Sequence, residues 1–354
     1  MRSLIIGGGA IGQFCAARLV QGGSDVVVMA RPPQTEAINS KGIELHVNGT
    51  ASILQVPAAA AVTDAVLKEP FELVIVAVKA YSTTDAVQTI VSIPASRDAS
   101  ILTVQNGLGN EEILADAFGA ERIVAGALTV AVDRLGPTSI ATSHKGGLSL
   151  APVGTNPHNW IIAAFNESGM TVRASANWQE LKWSKLLINI LGNGVCAALD
   201  WLPEQVYADR NAFAIERQTL LEALNVMSRL KLAPTNLIDF PTTLLAASAK
   251  TLPSDILRVV LANRVARGRG GKLPSLLLDL RAHRPQTEVM ALNGAVAAHA
   301  ARANVEAAAN AKVAEVVSGI ASGKLKWDDF RGHPERLNVP GPSRHVTSPS
   351  GSLR

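Results

Sequence analysis

The chain has 354 residues, of which 47% are apolar, 4% aromatic and 18% charged, and its formal net charge is +4. This length is too great for one compact core and suits two domains, and the composition is that of a soluble globular protein. No long basic run is interleaved with aromatic residues, and no apolar stretch reaches membrane-spanning length. We therefore expect neither a nucleic-acid nor a membrane partner, whereas the small positive excess suits anionic ligands.

The chain opens with a strand, a glycine turn and a helix in immediate succession. Residues 3–6, Ser-Leu-Ile-Ile, form a short and mainly apolar run that leads into Gly-Gly-Gly-Ala-Ile-Gly, after which residues 13–20 have a helical pattern. This order favours a dinucleotide site over an ordinary turn, since Gly7 makes the tight turn, Gly9 lets the backbone approach the pyrophosphate and Gly12 lets the helix pack on the strand. The free N–H groups of the helix then face the phosphates. The predicted cofactor-binding residues here are Gly7, Gly8, Gly9, Ala10, Ile11 and Gly12.

The second predicted strand, residues 25–30, indicates which dinucleotide is bound. It ends at Arg31, where an NAD-binding turn usually has an acid that accepts from the ribose 2′-hydroxyl. A guanidinium can hold a 2′-phosphate bidentately, whereas a carboxylate would repel it. Arg31 therefore favours NADP(H) over NAD(H), and the alternative is a solvated arginine at a strand end.

Cysteine content and the N-terminus bear on the compartment. Cys15 and Cys196 lie in apolar helical contexts without metal-ligand spacing, which indicates small core residues in a reducing compartment and no metal site. Arg2 followed by an apolar run resembles a short signal peptide, but the glycine turn inside that run favours a first strand instead. We expect a cytoplasmic protein.

The first half alternates strand and helix patterns, as expected for a doubly wound α/β domain. Residues 132–153 differ, because glycine and proline separate short alternating segments, which predicts antiparallel strands at the sheet edge. The other strands are predicted at residues 73–78, 100–104 and 123–127, and helices at 82–93 and 110–118.

The pattern becomes almost wholly helical after residue 176. Residues 264–272 form a basic segment that we interpret as an exposed connection, and residues from 334 onward lack periodicity, which predicts a disordered tail. We place the domains at residues 1–175 and 176–333, with the tail at 334–354. Helices are predicted at residues 178–199, 210–230, 237–250, 274–282, 288–303 and 307–322.

Polar residues follow three of the predicted strands, where ligands bind in sheets of this kind. Lys79 ends the strand at 73–78, Asn106 ends the strand at 100–104, and Arg31 ends strand two. Strand ends are normally polar, so one such residue means little. Three around one expected crevice indicate a binding site.

The helix predicted at 178–199 carries a further polar group. Lys185, Asn189 and Asn193 are spaced four apart in an otherwise apolar run. Steps of four advance roughly 40° around a helix, so the three predict one narrow polar stripe. A solvated helix face is the alternative, but asparagine is a poor residue on a helix surface, which favours a cleft.

Ser275 and Glu288 complete the candidates. Glu288 directly follows a proline turn and Thr287, and by itself it suggests no more than favourable electrostatics at a helix N-terminus.

Taken together, these segments resemble the ketopantoate reductase (2-dehydropantoate 2-reductase) family, over nearly the whole chain before the tail. The resemblance implies an N-terminal Rossmann-like α/β domain and an all-α domain like the C-terminal domain of 6-phosphogluconate dehydrogenase. The matching segments are the glycine turn, Arg31, Val-Lys-Ala at 78–80, Gln-Asn-Gly-Leu-Gly at 105–109, Trp-Ser-Lys at 183–185 with both asparagines, and residues 275–279 and 284–294.

The resemblance also implies a role for each residue. Lys185 corresponds to the lysine that protonates the carbonyl oxygen as hydride arrives from NADPH, and Glu288 to the acid that anchors the substrate hydroxyl. Asn106 would contact cofactor and substrate. Among the remaining residues, the implied substrate ligands are Asn189, Asn193 and Ser275, and the implied cofactor contacts are Arg31 and Lys79 at the 2′-phosphate and the backbone N–H of Val132.

Several positions depart from the family pattern. The spacing from the serine to the acid is one residue longer, with Gln286 as the insertion, and Val-Met-Ala follows Glu288 in place of the usual Ile-Asp-Tyr. Gly194 stands where a proline is common, and residues 199–203 lack an expected asparagine. These departures concern the identity of the keto acid more than the reaction type.

The sequence therefore predicts an NADPH-dependent reductase that converts ketopantoate to pantoate on the route to pantothenate and coenzyme A, as a monomer or homodimer. One alternative is an enzyme of the same fold acting on another 2-keto acid. The other is a catalytically silent NADP-binding regulator, which would have no need of Lys185, the asparagines or Glu288.

Overall fold

A computed structural model describes residues 1–143, 145–266 and 273–338. It has an α/β part and a helical part, which confirms the predicted fold class. The strands are β1 (Arg2–Ile6), β2 (Asp25–Met29), β3 (Ile43–Val47), β4 (Thr50–Leu54), β5 (Ala58–Ala59), β6 (Leu73–Val76), β7 (Ser100–Thr103), β8 (Ile123–Leu128), β9 (Val132–Arg134), β10 (Ser139–Thr142), β11 (Leu148–Pro152) and β12 (Val172–Ala174).

Fourteen α-helices are found in the described residues. They are α1 (Ala10–Gln21), α2 (Pro32–Lys41), α3 (Thr83–Val91), α4 (Asn110–Phe118), α5 (Asn159–Glu167), α6 (Trp178–Ile190), α7 (Gly194–Leu199), α8 (Pro203–Ala208), α9 (Arg210–Arg229), α10 (Thr242–Thr251), α11 (Ser254–Leu261), α12 (Ser275–Arg281), α13 (Asn293–Arg302) and α14 (Ala308–Ala321).

The main sheet has eight strands in the order β12-β11-β8-β7-β6-β1-β2-β5. The last six strands in this order, β8-β7-β6-β1-β2-β5, are all parallel to one another. Successive side chains of β1 and β6 point to opposite faces, and both faces are buried: Ile5 and Ile75 join one apolar cluster, Leu4 and Val76 the other. The strand order reverses at β1, so the ends of β1 and β6 flank the crevice where ligands bind in such sheets.

The prediction for residues 132–153 is correct in part. β11 is antiparallel to β8 in the main sheet, but β9 and β10 lie in a separate four-stranded sheet of order β4-β3-β10-β9. The prediction missed β3 and β4. They form an antiparallel pair, and β3 also pairs in parallel with β10. Placing β10 beside β3 depends on pairing across nearly a hundred residues, which local patterns do not report.

In the helical part, α9 lies at the centre and packs against α6, α8, α10, α13 and α14. A separate small cluster of buried residues, which includes Ala127 and Ala151 of the sheet and Leu181 of α6, joins the helical part to the sheet. This packing places α6 across β8 and β11 and fixes its position relative to the sheet.

Three predicted helices are wrong in their bounds. The segment at 237–250 begins as an isolated bridge between Leu237 and Phe240, so α10 starts only at Thr242. The segment at 288–303 is a short 3-10 turn, Glu288–Met290, followed by α13, because Leu292 leaves the helical conformation. The segment at 178–199 is broken between α6 and α7, as described below.

The C-terminal prediction is wrong for its first residues. Pro334–Leu337 form a 3-10 turn that packs against α9, and Leu337 is fully buried in the core of the helical part. Burial of one apolar side chain overrides the proline-rich local composition. Residues 339–354, like residues 267–272 of the basic segment, lie outside the described residues, and residues 262–266 form a short π-helical turn.

Candidate active site

The glycine turn after β1 has the geometry that a dinucleotide phosphate requires. Gly7 adopts φ +118°, and a Cβ on Gly12 would lie 1.8 Å from the carbonyl oxygen of Gly7. Gly9 caps α1 in an ordinary extended conformation, yet a Cβ there would meet nothing within 4 Å. Gly7 and Gly12 are thus required by the fold itself, whereas the space beside Gly9 and the free N–H groups of α1 fits a phosphate.

Arg31 lies at the end of β2 and directly precedes α2. Its side chain is exposed, and its guanidinium has no hydrogen bond or ion pair among the residues described. A second arginine reaches the same region, since Arg134 of β9 donates a 2.8 Å hydrogen bond to Gln34, three residues after Arg31. Arg134 was not singled out from the sequence, because a hundred residues separate it from Gln34.

Lys79, after β6, joins the helical part through two carboxylates. Its Nζ lies 2.8 Å from Glu288 Oε2 and 3.4 Å from Asp279 Oδ2, and both acids are nearly fully buried. Glu288 also accepts from the backbone N–H of Ala80 at 3.3 Å, and Arg284 lies 3.3 Å from Asp279. Burial lowers the pKa of Lys79, but the charges of Glu288 and Asp279 together outweigh it, so the pKa is raised and Lys79 stays protonated.

The polar residues of the two parts meet in one hydrogen-bonded chain. Asn189 Nδ2 of α6 donates to Asn106 Oδ1 at 3.0 Å, which links the helix to the end of β7. Asn193 Nδ2 donates to the Asn189 carbonyl at 3.0 Å and lies 3.4 Å from Ser275 Oγ. Asn193 Oδ1 accepts from the N–H of Leu276 at the start of α12. Four predicted substrate ligands therefore lie together.

The predicted helical stripe is correct for Lys185 and Asn189 but wrong for Asn193. The helix ends at Ile190, Gly192 adopts φ +58°, and Asn193 directly precedes α7. Glu216 of α9, which is fully buried, accepts a 2.6 Å hydrogen bond from the Gly192 N–H and another from the Tyr207 hydroxyl. The break thus gives one oxygen of a buried carboxylate a backbone donor, and it places Asn193 beside Ser275.

Lys185 is half-buried on α6, one turn before Asn189. Residues four apart are neighbours on one helix face, so Lys185 lies on the face that contacts Asn106. The turn after Asn106 packs against the segment that follows Glu288, since a Cβ on Gly107 would lie 2.5 Å from the Ala291 carbonyl oxygen and Leu108 N–H donates to that oxygen. Val132 begins β9 and pairs with Thr142.

A buried ion pair behind these residues was missed by the sequence analysis. Lys182 Nζ lies 2.9 Å from Glu111 Oε1, and the two side chains are 1% and 0% exposed. The only hint in the sequence is a lysine among apolar residues, Leu181 and Trp183, which a helix end or a surface would equally explain.

In the described residues no group of histidine, cysteine, aspartate and glutamate is arranged to hold a metal ion. Within the same residues no helix is long and apolar enough to cross a membrane.

The fold and the site define a two-part protein in which a sheet of the Rossmann type is joined to a helical part through polar side chains at the carboxyl ends of its strands. Comparison with known proteins specifies the class. The family model "Ketopantoate reductase PanE/ApbA" matches residues 3–154, and the model "Ketopantoate reductase PanE/ApbA C terminal" matches residues 177–321. The chain belongs to the ketopantoate reductase family.

Individual relatives are distant. A 2-dehydropantoate 2-reductase of Pyrococcus horikoshii is 30% identical over 209 residues, an alignment that spans 56% of this chain and 64% of the relative. One of Archaeoglobus fulgidus is 25% identical over 91% of this chain and 98% of its own length. Among solved structures, this chain is similar to the ternary structure of a D-mandelate dehydrogenase with NADH and anilino(oxo)acetate, with a TM-score of 0.76 and 21% identity. The match covers 91% of this chain and 99% of the dehydrogenase chain, and it shows that the two share a fold.

Proposed function

We propose that this protein is an NADPH-dependent reductase of a 2-keto acid, and that its substrate is 2-dehydropantoate, which it reduces to pantoate. The observation that carries the proposal is the 3.0 Å hydrogen bond between Asn189 and Asn106. It brings the face of α6 that bears Lys185 to the carboxyl edge of the dinucleotide-binding sheet. The family membership and the names of the relatives support the same activity.

The cofactor fits the residues present. The glycine turn would hold the pyrophosphate, with Gly9 beside it and the N–H groups of α1 facing it. Arg31 would hold the 2′-phosphate, since it has no competing carboxylate in the described residues, and Lys79 and the backbone of Val132 would add contacts. When bound, NADPH supplies the hydride.

The protein's own residues would bind the keto acid and supply the proton. Lys185 would donate a proton to the carbonyl oxygen, while Asn106 and Asn189 would fix the orientation of the substrate. Asn193 and Ser275 would hold its polar groups. Glu288, held by Lys79 and the Ala80 N–H, would accept a hydrogen bond from the substrate hydroxyl. Closure of the cleft would exclude water from the reacting atoms.

The test is consumption of NADPH, and separately of NADH, by the purified protein with 2-dehydropantoate and with a panel of other 2-keto acids. We expect turnover with 2-dehydropantoate and a strong preference for NADPH. Activity confined to another keto acid would preserve the site assignment and identify the Val-Met-Ala segment after Glu288 as the first place to look for altered specificity. Tight NADPH binding without turnover of any keto acid would contradict the proposal.

A further inference from the structure

Lys182 is a charged side chain that has two hydrogen-bond acceptors and one ion-pair partner inside the protein. Its Nζ donates to the carbonyl oxygen of Gln105 at 2.6 Å and to that of Gly126 at 3.4 Å, and it lies 2.9 Å from Glu111 Oε1. The ammonium group therefore donates two hydrogen bonds to backbone carbonyls, and its charge is matched by the Glu111 carboxylate in an ion pair. An ion buried this deeply is tolerated only where its partners are fixed, so the position of each partner is coupled to the others.

The three acceptors and the lysine come from different parts of the molecule. Lys182 belongs to α6 of the helical part, whereas Gln105 follows β7, Gly126 lies in β8 and Glu111 in the first turn of α4. The helix dipole favours a carboxylate at that position of α4. Neither oxygen of the Glu111 carboxylate has a hydrogen-bond partner among the described residues, so the ion pair with Lys182 is the interaction that balances this buried charge.

The ion pair lies beside the proposed reaction site. Lys182 and Asn189 are seven residues apart on α6, which places them on one face two turns apart. They contact consecutive residues of the sheet edge, Gln105 and Asn106. Lys185 lies between them on the same helix. The helix segment that carries Lys185 is therefore attached to the turn at residues 105–109 at both of its ends.

We propose that the Lys182–Glu111 pair is the positioning device of this site. It holds the carbonyl of Gln105, and through it the side chain of Asn106, at a fixed distance from Lys185. Neither Lys182 nor Glu111 is a catalytic residue. The inference rests on the proposed function for its effect on turnover, but its structural part, order in the turn at residues 105–109, is independent of it.

The test uses the double variant Lys182→Met/Glu111→Leu. Replacing a buried ion pair by apolar side chains of similar size often leaves folding stability unchanged, whereas Lys182→Met alone leaves a buried charge without a partner. We expect the double variant to unfold thermally close to the unaltered protein and the single variant well below it. The exposed pair Lys312–Glu315 on α14 gives a matched control, Lys312→Met/Glu315→Leu.

Two measurements separate positioning from general stability. The first is hydrogen exchange of a peptide spanning residues 104–110, which we expect to lose protection in the double variant while the strands β1 and β6 keep theirs. The second is kcat, which we expect to fall by roughly 10²-fold, the cost of a displacement of about 1 Å at a reacting centre. On an Asn106→Ala background the same double substitution should lower kcat by much less, because the pair acts through Asn106.

The outcomes are distinct. Unchanged exchange at residues 104–110 in a folded double variant would overturn the proposal, as would a full loss of kcat on the Asn106→Ala background. If the double variant does not fold, Glu111→Gln serves instead, since it keeps an acceptor but removes the charge; native-like exchange there would equally overturn the proposal. Altered exchange in a protein that reduces no keto acid would retain the positioning device and contradict the proposed function alone.

Discussion

The glycine turn after β1 and the break between α6 and α7 both use a glycine with positive φ to change the direction of the chain beside the candidate site. Gly7 has φ +118° and Gly192 has φ +58°. At the turn, the close contact of Gly12 with Gly7 lies within six residues. At the break, the contact that holds the geometry comes from Glu216, twenty-four residues away. The geometry of the glycine turn is thus encoded locally, whereas that of the break depends on a tertiary contact.

The largest effect that tests this comparison is expected on the substrate side. Lys185→Ala removes the proposed proton donor, and we expect kcat to fall by something like 10²–10⁴, the usual contribution of a positioned acid. NADPH binding should stay nearly unchanged, because the glycine turn is intact. Steady-state kinetics and NADPH titration measure the two separately. A variant with near-normal kcat would remove Lys185 from the chemistry.

On the dinucleotide side, two glycines should behave oppositely. Gly12→Ala forces a Cβ to within 1.8 Å of a backbone oxygen, so we expect a loss of stability of about 1–3 kcal/mol or more. Gly9→Ala has room for its Cβ and an ordinary φ, so the protein should fold normally but bind NADPH weakly. Thermal unfolding and NADPH titration of both variants measure this. Equal NADPH affinity for Gly9→Ala and the unaltered protein would show that the phosphates bind elsewhere.

Arg31→Glu tests the choice between the two dinucleotides. A charge-assisted contact to the 2′-phosphate contributes roughly 1.5–3 kcal/mol, so we expect the KM for NADPH to rise by about 10- to 10²-fold while that for NADH hardly changes. Arg173→Glu, an exposed arginine on β12 at the opposite edge of the sheet, is the control. Equal losses for both cofactors would count against a 2′-phosphate contact.

The break between α6 and α7 can be tested by stability. Gly192→Ala places a Cβ in the left-handed region, where it costs about 1–2 kcal/mol. Gly192→Asn should cost less, since asparagine tolerates that conformation. Urea unfolding of both variants provides the measurement, and equal stability of all three proteins would mean that the left-handed turn is not required.

The smallest effect concerns pH. The pKa of Lys79 is raised in the folded protein, so its ion pairs contribute stability that is complete below the unfolded value of about 10.4 and is lost as pH rises through the folded value. The difference in unfolding midpoint between Lys79→Met and the unaltered protein should be constant from neutral pH upward and shrink above that point. The exposed Lys324→Met is the matched control, and a constant difference for Lys79→Met throughout would contradict the assignment.

The comparison also explains how much the sequence could predict. Strand ends carry their polar residues at the same edge of a parallel sheet, so Arg31, Lys79 and Asn106 could be placed from the chain order alone. Asn193 could not, because a period of 3.6 residues extended across Gly192 predicts one straight helix and contains no information about Glu216. The Lys182–Glu111 pair could not be predicted either. A buried lysine can be inferred only when its acidic partner is known, and Glu111 lies 71 residues away in the sequence.

The most direct test of the central claim is the rate of NADPH consumption with 2-dehydropantoate, measured for the unaltered protein and Lys185→Ala side by side. We expect rapid consumption by the unaltered protein and a loss of roughly 10²-fold or more in the variant. Equal rates for the two proteins would contradict the assignment of Lys185 as the proton donor, and with it the proposed role of α6 as the catalytic wall of the cleft.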